Sequence, residues 1–186
     1  MAAAPQTKAI LFDFGGTLDA DGVAWKDRFY PFYLAEHVAV DRDRYDQAYY
    51  VGDDALVARR FSDYSFRESL LFQITGVLKA LNVADARVAS RLCDRFLQDS
   101  LEKIRSNLAI LRELSARFRL GIISNFYGNL ERVCLECGLT PLMSVLVDSA
   151  RVGFTKPDPR IFQAALTQLQ LDPREAVFVG DSLHRD

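Results

Sequence analysis

Polar side chains able to bind a phosphate and a magnesium ion recur where short apolar segments of this sequence end. They are Asp13, Ser124 with Asn125, Lys156, and Asp181 with Asp186. Carboxylates are the hard oxygen ligands that Mg²⁺ prefers, and an aspartate can also attack as a nucleophile. A lysine ammonium can neutralise a bound phosphate, and a serine hydroxyl with nearby amides can donate to phosphate oxygens. These residue types predict one site that holds a phosphate and Mg²⁺.

The first of these residues, Asp13, ends the apolar run within residues 8–19, KAILFDFGGTLD. Residues 9–12 show no polar alternation, which predicts a strand covered on both faces, as in a parallel sheet. Ligands of open α/β sheets collect at the carboxyl ends of the strands, so Asp13 is a candidate nucleophile and metal ligand. An aspartate that only caps a turn is the alternative. The glycine pair that follows allows a sharp turn whose amides could face an anion, and we expect Gly16 and Thr17 to contact the substrate.

The composition excludes several classes of function. The 186 residues are 49% apolar and 26% charged, which is typical of a folded globular protein. A net charge of −2 gives no electrostatic case for nucleic-acid binding. No apolar run approaches the ~20 residues that a membrane span needs, and the first residues, MAAAPQTK, lack the apolar core of a secretory signal. Because three cysteines are an odd and sparse set that fits a reducing compartment, we expect a cytoplasmic protein.

A long helical segment separates the first motif from the others and predicts an insertion. Apolar residues at spacings of three and four predict four helices, over residues 25–40, 45–61, 66–81 and 84–101. Residues 19–22, ahead of the first helix, are interpreted as a polar and flexible turn. Residues 25–72 are rich in aromatic side chains. These could line an apolar substrate pocket, but the core of a helical insertion is the favoured interpretation.

From Asn107 onward the pattern alternates helices with short apolar strands, as βαβ units do. The predicted helices span residues 108–118, 129–137 and 159–169, and the predicted strands span residues 120–124, 145–148 and 176–179. The predicted fold is α/β: a Rossmann-like three-layer core with a parallel sheet, made of residues 1–21 and 107–186, and an all-helical cap inserted at residues 22–106. A parallel strand is usually followed by a helix and often by another strand, whereas this chain stops seven residues after Val179. We therefore expect a fragment that lacks its last sheet elements and is less stable than an extended chain.

Four segments in this order, DFGGT, IISN, the lysine before PDP, and GDSLHRD, resemble the motifs of the haloacid dehalogenase-like hydrolase superfamily. The resemblance covers essentially the whole chain and implies the helical-cap type of that superfamily. It implies that Asp13 attacks phosphorus to give an aspartyl-phosphate, which water hydrolyses, and that Ser124 and Lys156 bind the phosphate. It also implies a Mg²⁺ cofactor, whose ligands and supports would be Asp13, the Gly15 carbonyl, Asp181 and Asp186. The implied activity is that of a phosphatase for a small phosphorylated compound.

One position, Gly15, departs from the phosphatases of that superfamily. They read Asp-x-Asp-Gly-Thr, and their second aspartate protonates the leaving oxygen and later activates water. Loss of such an acid typically costs about 10²- to 10⁴-fold in rate. Superfamily members without it include haloacid dehalogenases, which do not use Mg²⁺, and phosphonoacetaldehyde hydrolases, which use a cap lysine as a Schiff base. The paired Asp181 and Asp186 argue against dehalogenation, so a phosphatase, a phosphonatase-like hydrolase and a phosphate-binding pseudo-enzyme stay open.

Other candidate residues are better explained by structural roles. Among the cap lysines, Lys26 is the best placed for a Schiff base, but a surface lysine is the favoured interpretation. The pair Arg59-Arg60 could bind a second anionic group of the substrate, although a solvated helix face is the better explanation. Cys134 and Cys137 form a C-x-x-C at the end of a predicted helix, where packing explains them better than redox or zinc chemistry.

Overall fold

A computed structural model describes residues 6–59, 62–83, 85–184 and 186. Its strands are β1 (Ala9–Phe12), β2 (Arg119–Ser124), β3 (Met143–Asp148) and β4 (Ala176–Val179). Among the described residues, these strands form one parallel sheet in the order β3-β2-β1-β4. β1 and β4 have the predicted bounds, whereas β2 and β3 begin one and two residues earlier than predicted. The α/β class and the parallel sheet are therefore confirmed.

β1 lies between β2 and β4 and fixes the geometry of the sheet edge. Its last residue, Phe12, pairs with Ile122 of β2 and with Val179 of β4. On the far side of β2, Ser124 pairs with Asp148 of β3. Because the strands are parallel, their carboxyl ends meet at one edge. The polar residues that follow these strands are therefore brought to the same place.

Helices cover both faces of the sheet. They are α1 (Trp25–Ala35), α2 (Arg42–Arg59), α3 (Phe66–Ala80), α4 (Ala86–Ser115), α5 (Leu130–Glu136), α6 (Ser149–Val152) and α7 (Pro159–Leu169). Ile161 and Ala165 of α7 are buried with Leu11 against one face, whereas Leu111 of α4 is buried with Phe12 against the other. Successive side chains of β1 point to opposite faces, so the core has the three layers that were predicted.

α4 corrects the predicted helix pattern. The prediction of two helices, at residues 84–101 and 108–118, is wrong, because one helix of 30 residues spans Ala86–Ser115. Asn107 is a weak helix former, but its penalty of up to about 0.7 kcal/mol is small against tertiary contacts. Its side-chain amide donates to the carbonyl of Leu18 at 3.0 Å, which ties the middle of α4 to the loop after β1. The chain therefore returns from the inserted helices to the sheet within a single helix, and the domain division at residues 21/22 and 106/107 stays a prediction.

The inserted helices pack around aromatic side chains. Phe29 stacks on Phe96 with 3.7 Å between ring centroids, and Trp25 meets Phe96 edge-on at 5.4 Å. Tyr33 and Phe66 are also fully buried in the same cluster. The aromatic residues of the insertion thus form its core, in agreement with the favoured interpretation.

Some predicted helix ends differ from the observed ones. α1 ends at Ala35, five residues earlier than predicted, because His37 adopts a left-handed backbone with φ of 60°. The predicted end of the second helix at Phe61 and the predicted start of the fourth at Ala84 lie outside the described residues. Among the described residues, none of the helices combines the length and the apolar character that crossing a membrane requires.

Candidate active site

Asp13 follows β1 directly and lies at the centre of the site, with 9% of its surface exposed. Its Oδ1 atom accepts hydrogen bonds from the backbone N–H of Phe14 at 2.7 Å and from the hydroxyl of Ser124 at 2.9 Å. Its Oδ2 atom lies 2.8 Å from the ammonium of Lys156. The bond to Phe14 joins neighbouring residues, whereas the Asx-turn of the alternative role would bond the N–H two residues on. Asp13 therefore contacts Ser124 and Lys156, two of the other candidate site residues.

The charge of Asp13 depends on its neighbours. Burial raises the pKa of Asp13, because loss of water disfavours the charged carboxylate. Lys156 acts in the opposite direction through its charge and its hydrogen bond, and the Ser124 hydroxyl adds to this effect. A nucleophilic aspartate must be ionised, and the Lys156 ammonium is the main group that favours the ionised form that the predicted role of Asp13 needs.

Lys156 is 4% exposed and is positioned through its backbone. Its N–H donates to Oδ1 of Asn125 at 2.7 Å, and its carbonyl accepts from Nδ2 of Asn125 at 3.1 Å. Its ammonium contacts Asp13 at 2.8 Å and Asp186 at 2.5 Å. Asn125 therefore holds Lys156 in place with both polar atoms of its side chain, and its contact with a substrate stays a prediction.

Three carboxylates converge at the sheet edge, those of Asp13, Asp181 and Asp186. Each offers one oxygen, and these oxygens all lie within 4.8 Å of one another. Ligands on opposite sides of one Mg²⁺ are about 4.2 Å apart, because each metal–oxygen distance is ~2.1 Å. Small side-chain movements would thus let these oxygens, or waters that they bind, share one ion. The donor set fits Mg²⁺ as expected from the sequence, and the additional role of the Gly15 carbonyl stays a prediction.

Gly16 brings the loop after β1 into contact with Asp181. The loop winds through Phe14–Leu18 as one wide turn, in which Gly16 has a φ of 94°. A Cβ atom at Gly16 would lie 2.5 Å from Oδ2 of Asp181. The hydroxyl of Thr17 donates to Oδ1 of the same carboxylate at 3.2 Å. Gly16 and Thr17 therefore lie at the predicted site, and only a residue without a side chain fits at position 16.

Gly16→Ala is expected to destabilise the protein by about 1–3 kcal/mol and to weaken Mg²⁺ binding, because it combines backbone strain with displacement of Asp181. Gly22→Ala is the matched control, since Gly22 has a φ of 80° but a Cβ there would meet nothing within 4 Å. Urea unfolding and calorimetric titration with Mg²⁺ measure the two effects. Equal losses in both variants would mean that Asp181 does not depend on the close approach of Gly16.

Gly15 has a different environment from Gly16. Its φ of −75° and ψ of 117° are accessible to any residue. A Cβ atom at Gly15 would lie 3.2 Å from Nε1 of Trp25, the first residue of α1. The indole of Trp25 therefore covers the position at which the phosphatases of the superfamily described above carry their second aspartate.

Two buried aspartates that were not among the predicted site residues, Asp19 and Asp148, lie next to the site in the loop after β1 and beside Ser124 in the sheet. Asp19 is fully buried and accepts the N–H of Gly16 at 2.8 Å, so the interpretation of its segment as a polar, flexible turn is wrong for this residue. Asp148, at the end of β3, is 4% exposed. It accepts hydrogen bonds of 2.8–3.1 Å from three backbone N–H groups, those of Gly128, Leu130 and Ala150. The sequence did contain a signal for Asp148, because this carboxylate ends an apolar strand, as expected for a residue at the site.

Two of the remaining cationic candidates, Lys26 and Arg59, contact other residues of the helical insertion. Lys26 forms an ion pair with Asp46 at 2.9 Å, and this hydrogen bond raises the pKa of Lys26. A Schiff-base lysine needs a lowered pKa, so the structure favours the surface role. Arg59 lies over the ring of Phe72 at 5.5 Å, and Arg60 lies outside the described residues.

Cys134 and Cys137 are both buried thiols. Burial raises the pKa of Cys137 to about 12 and also raises that of Cys134. Since a redox pair requires an accessible thiolate, this environment fits the packing role that was favoured.

The chain is similar to characterised proteins over limited segments. It is 31% identical over 110 residues to the haloacid dehalogenase-like hydrolase domain-containing protein 3 of Bos taurus, covering 56% of this chain and 44% of the bovine protein. It is 38% identical over 80 residues to the phosphoserine phosphatase of Thermus thermophilus, covering 42% of this chain and 32% of that enzyme. The chain therefore spans less than half the length of these relatives.

Solved structures share the fold. The HAD-hydrolase YfnB of Bacillus subtilis, solved with bound magnesium, has a TM-score of 0.55 at 19% identity, covering 97% of this chain and 81% of YfnB. A HAD-like family hydrolase of Porphyromonas gingivalis has a TM-score of 0.58 at 20% identity, covering 96% and 84%. The family model of the haloacid dehalogenase-like hydrolases matches residues 7–186. Because this match extends over nearly the whole chain, the protein belongs to the haloacid dehalogenase-like hydrolases.

Proposed function

We propose that this protein is a Mg²⁺-dependent phosphatase that transfers the phosphoryl group of a small phosphorylated compound to Asp13 and then to water. The observation that carries the proposal is the position of the buried Asp13 carboxylate, between the Lys156 ammonium and the carboxylates of Asp181 and Asp186. The names of two relatives support this reaction class, the phosphoserine phosphatase of Thermus thermophilus and the pyrophosphatase PpaX of Bacillus pumilus. We also propose a cytoplasmic site of action, because the cysteines are buried free thiols.

The surroundings of the two Asp13 oxygens favour Oδ2 as the attacking atom. Oδ1 is fixed by the N–H of Phe14 and the hydroxyl of Ser124, whereas among the described residues the ion-pair partner of Oδ2 is the Lys156 ammonium. When Lys156 turns its ammonium toward a phosphate oxygen, Oδ2 can attack phosphorus while the bond to the leaving oxygen breaks. Water then attacks the aspartyl-phosphate, releasing inorganic phosphate and restoring Asp13. Mg²⁺ bound by the neighbouring carboxylates would supply positive charge to the phosphoryl oxygens.

Hydrolysis of 4-nitrophenyl phosphate tests this function, because an aryl leaving group needs little protonation and so tolerates Gly15. We expect turnover that requires Mg²⁺ and that stops when EDTA removes the ion. The rival is a phosphate-binding protein without activity. A folded protein that binds Mg²⁺ and phosphate, yet hydrolyses none of a panel of aryl, alkyl and acyl phosphates, would support that rival.

Gly15→Asp is expected to raise turnover of alkyl phosphates by about tenfold or more, and that of aryl phosphates much less, because only alkoxides need protonation as they leave. The backbone at Gly15 permits the change, since its φ is −75°. The new side chain must displace the Trp25 indole by a few tenths of an ångström, because its Cβ would lie 3.2 Å from Nε1. Steady-state kinetics over a series of leaving-group pKa values measures the effect.

Gly15→Ala is the control for this substitution, because it crowds Trp25 in the same way without adding an acid. An increase shared by the Ala variant would show that the indole position, rather than proton transfer, limits the rate. An Asp variant that folds and binds Mg²⁺ but gains nothing on any substrate would count against a phosphatase limited by its missing acid.

A further inference from the structure

Asp19 is a fully buried carboxylate whose two oxygens face different parts of the molecule. Oδ1 accepts the backbone N–H of Gly16 in the loop after β1 at 2.8 Å. Oδ2 accepts from Nε1 of Trp25 at 2.7 Å, from Nη1 of Arg28 at 3.0 Å and from the hydroxyl of Ser100 at 3.0 Å. The last three residues lie on α1 and α4, in the helical insertion. One carboxylate therefore joins the loop of the active site to two helices of the insertion.

The cation that balances Asp19 is itself fixed between the two helices. Arg28 of α1 is 9% exposed and donates from Nη2 to Asp99 at 2.7 Å and to Ser100 at 2.9 Å, both on α4. Its guanidinium also lies over the ring of Phe96, 4.3 Å from the centroid. A buried ion pair contributes little net stability compared with apolar packing of the same volume, but it requires one geometry. The main effect of the Asp19–Arg28 pair is therefore to fix the position of the loop after β1 relative to α1 and α4, rather than to add stability.

The other end of this connection reaches the metal-binding carboxylates. Gly16, which donates to Asp19, lies directly against Asp181, where a Cβ would be 2.5 Å from Oδ2. The next residue, Thr17, donates to the same carboxylate at 3.2 Å. A shift of Asp19 would therefore move the backbone on which Asp181 rests.

We infer that Asp19 and Arg28 are positioning residues that hold the loop of Gly16 and Thr17 against Asp181. Through them, the position of this loop depends on the position of the helical insertion. Neither residue contacts Asp13, Lys156 or Asp181 in the hydrogen bonds and ion pairs of the described residues. Their effect on catalysis is indirect and rests on the function proposed above. Their effect on the loop is a property of the fold and can be measured without substrate or metal.

Arg28→Met tests this inference, because it removes the cation from the insertion and leaves every atom of the loop unchanged. Amide hydrogen exchange of Gly16, followed by NMR in the metal-free protein, reports the bond to Asp19. We expect exchange of this amide to accelerate by about tenfold or more relative to the wild type. The indole N–H of Trp25, the only tryptophan, gives a second resonance on the same carboxylate.

Lys26→Met is the matched control, since Lys26 also lies on α1 and forms an ion pair, but with Asp46 of α2. It should leave the Gly16 amide unchanged. Arg28→Lys keeps the charge and should recover part of the protection, and Ser100→Ala removes a single donor to Asp19 if Arg28→Met does not fold. Wild-type exchange of Gly16 in folded Arg28→Met, or in Ser100→Ala where only that variant folds, would overturn the inference.

The consequence for the site is measured separately. In Arg28→Met we expect the Mg²⁺ dissociation constant to rise by about tenfold, and kcat on an aryl phosphate to fall with KM changed less than about twofold. If the wild type neither binds Mg²⁺ nor hydrolyses phosphates, the proposed function fails, while the exchange of Gly16 still decides the positioning role. If Mg²⁺ affinity and kcat are unchanged although the Gly16 amide is exposed, Asp19 does not position Asp181.

Discussion

Asp13→Asn is expected to abolish hydrolysis of aryl phosphates, with a loss on the order of 10⁴-fold or more, because the amide oxygen cannot act as the nucleophile. Asparagine keeps the size of the side chain and an acceptor for Phe14 and Ser124, so the fold should survive. The loss of the ion pair with Lys156 should change stability much less than activity. Initial rates with saturating Mg²⁺, together with the thermal midpoint, measure both.

Asp94→Asn is the control, since Asp94 carries an exposed carboxylate paired with Arg67 at 2.9 Å. It should retain the full rate. Acid quenching of the wild type during turnover should also trap the phosphoryl group on protein, and Asp13→Asn should trap none. Substantial turnover by Asp13→Asn would mean that another group or a water molecule attacks phosphorus, which would remove Asp13 from the proposed role.

Lys156→Met is expected to lower both activity and stability. The Lys156 ammonium lies between two carboxylates, 2.8 Å from Asp13 and 2.5 Å from Asp186. Removing a buried cation leaves these carboxylates unpaired, which should cost about 3 kcal/mol in unfolding free energy. Turnover should fall by about 10²-fold or more, because the cation predicted to neutralise the phosphate is lost. Urea unfolding without metal and steady-state kinetics with Mg²⁺ measure the two losses.

The stability loss in Lys156→Met should depend on pH. Burial raises the pKa of Asp13 and Lys156 opposes this, so the variant should raise that pKa further. A buried carboxylate with a raised pKa destabilises the folded state while it is ionised, and protonation removes that cost. The loss of unfolding free energy in Lys156→Met should therefore shrink from about pH 7 to about pH 5. Lys26→Met, in a more exposed ion pair, should cost less than about 1 kcal/mol at either pH. A deficit in Lys156→Met that is equally small would show that the carboxylates are not held together by this lysine.

The sequence was sufficient to predict the strands and the edge at which they deliver polar residues. The bounds of β1 and β4 were correct because short, uniformly apolar runs that end in glycine or aspartate are a local signal. The convergence of Asp13, Asp181 and Asp186 followed from the parallel sheet, since parallel strands bring their carboxyl ends together. Three of the four motifs lie at the end of a strand, namely those of Asp13, Ser124 and Asp181. The expectation that Lys156 also follows a strand end is wrong, because α6 lies between β3 and Lys156.

Contacts between residues far apart in the chain decided the rest. Asp19 looked like part of a solvated turn, yet Ser100, 81 positions later, buries and bonds it. The sequence could not show that Trp25 covers Gly15, or that both polar atoms of the Asn125 side chain hydrogen-bond to the backbone of Lys156. The continuity of α4 through Asn107 was also a tertiary outcome, because the helix penalty of asparagine is smaller than the contacts that the helix makes. Local sequence patterns determine where polar residues follow the strands, whereas tertiary packing determines which of these residues come into contact.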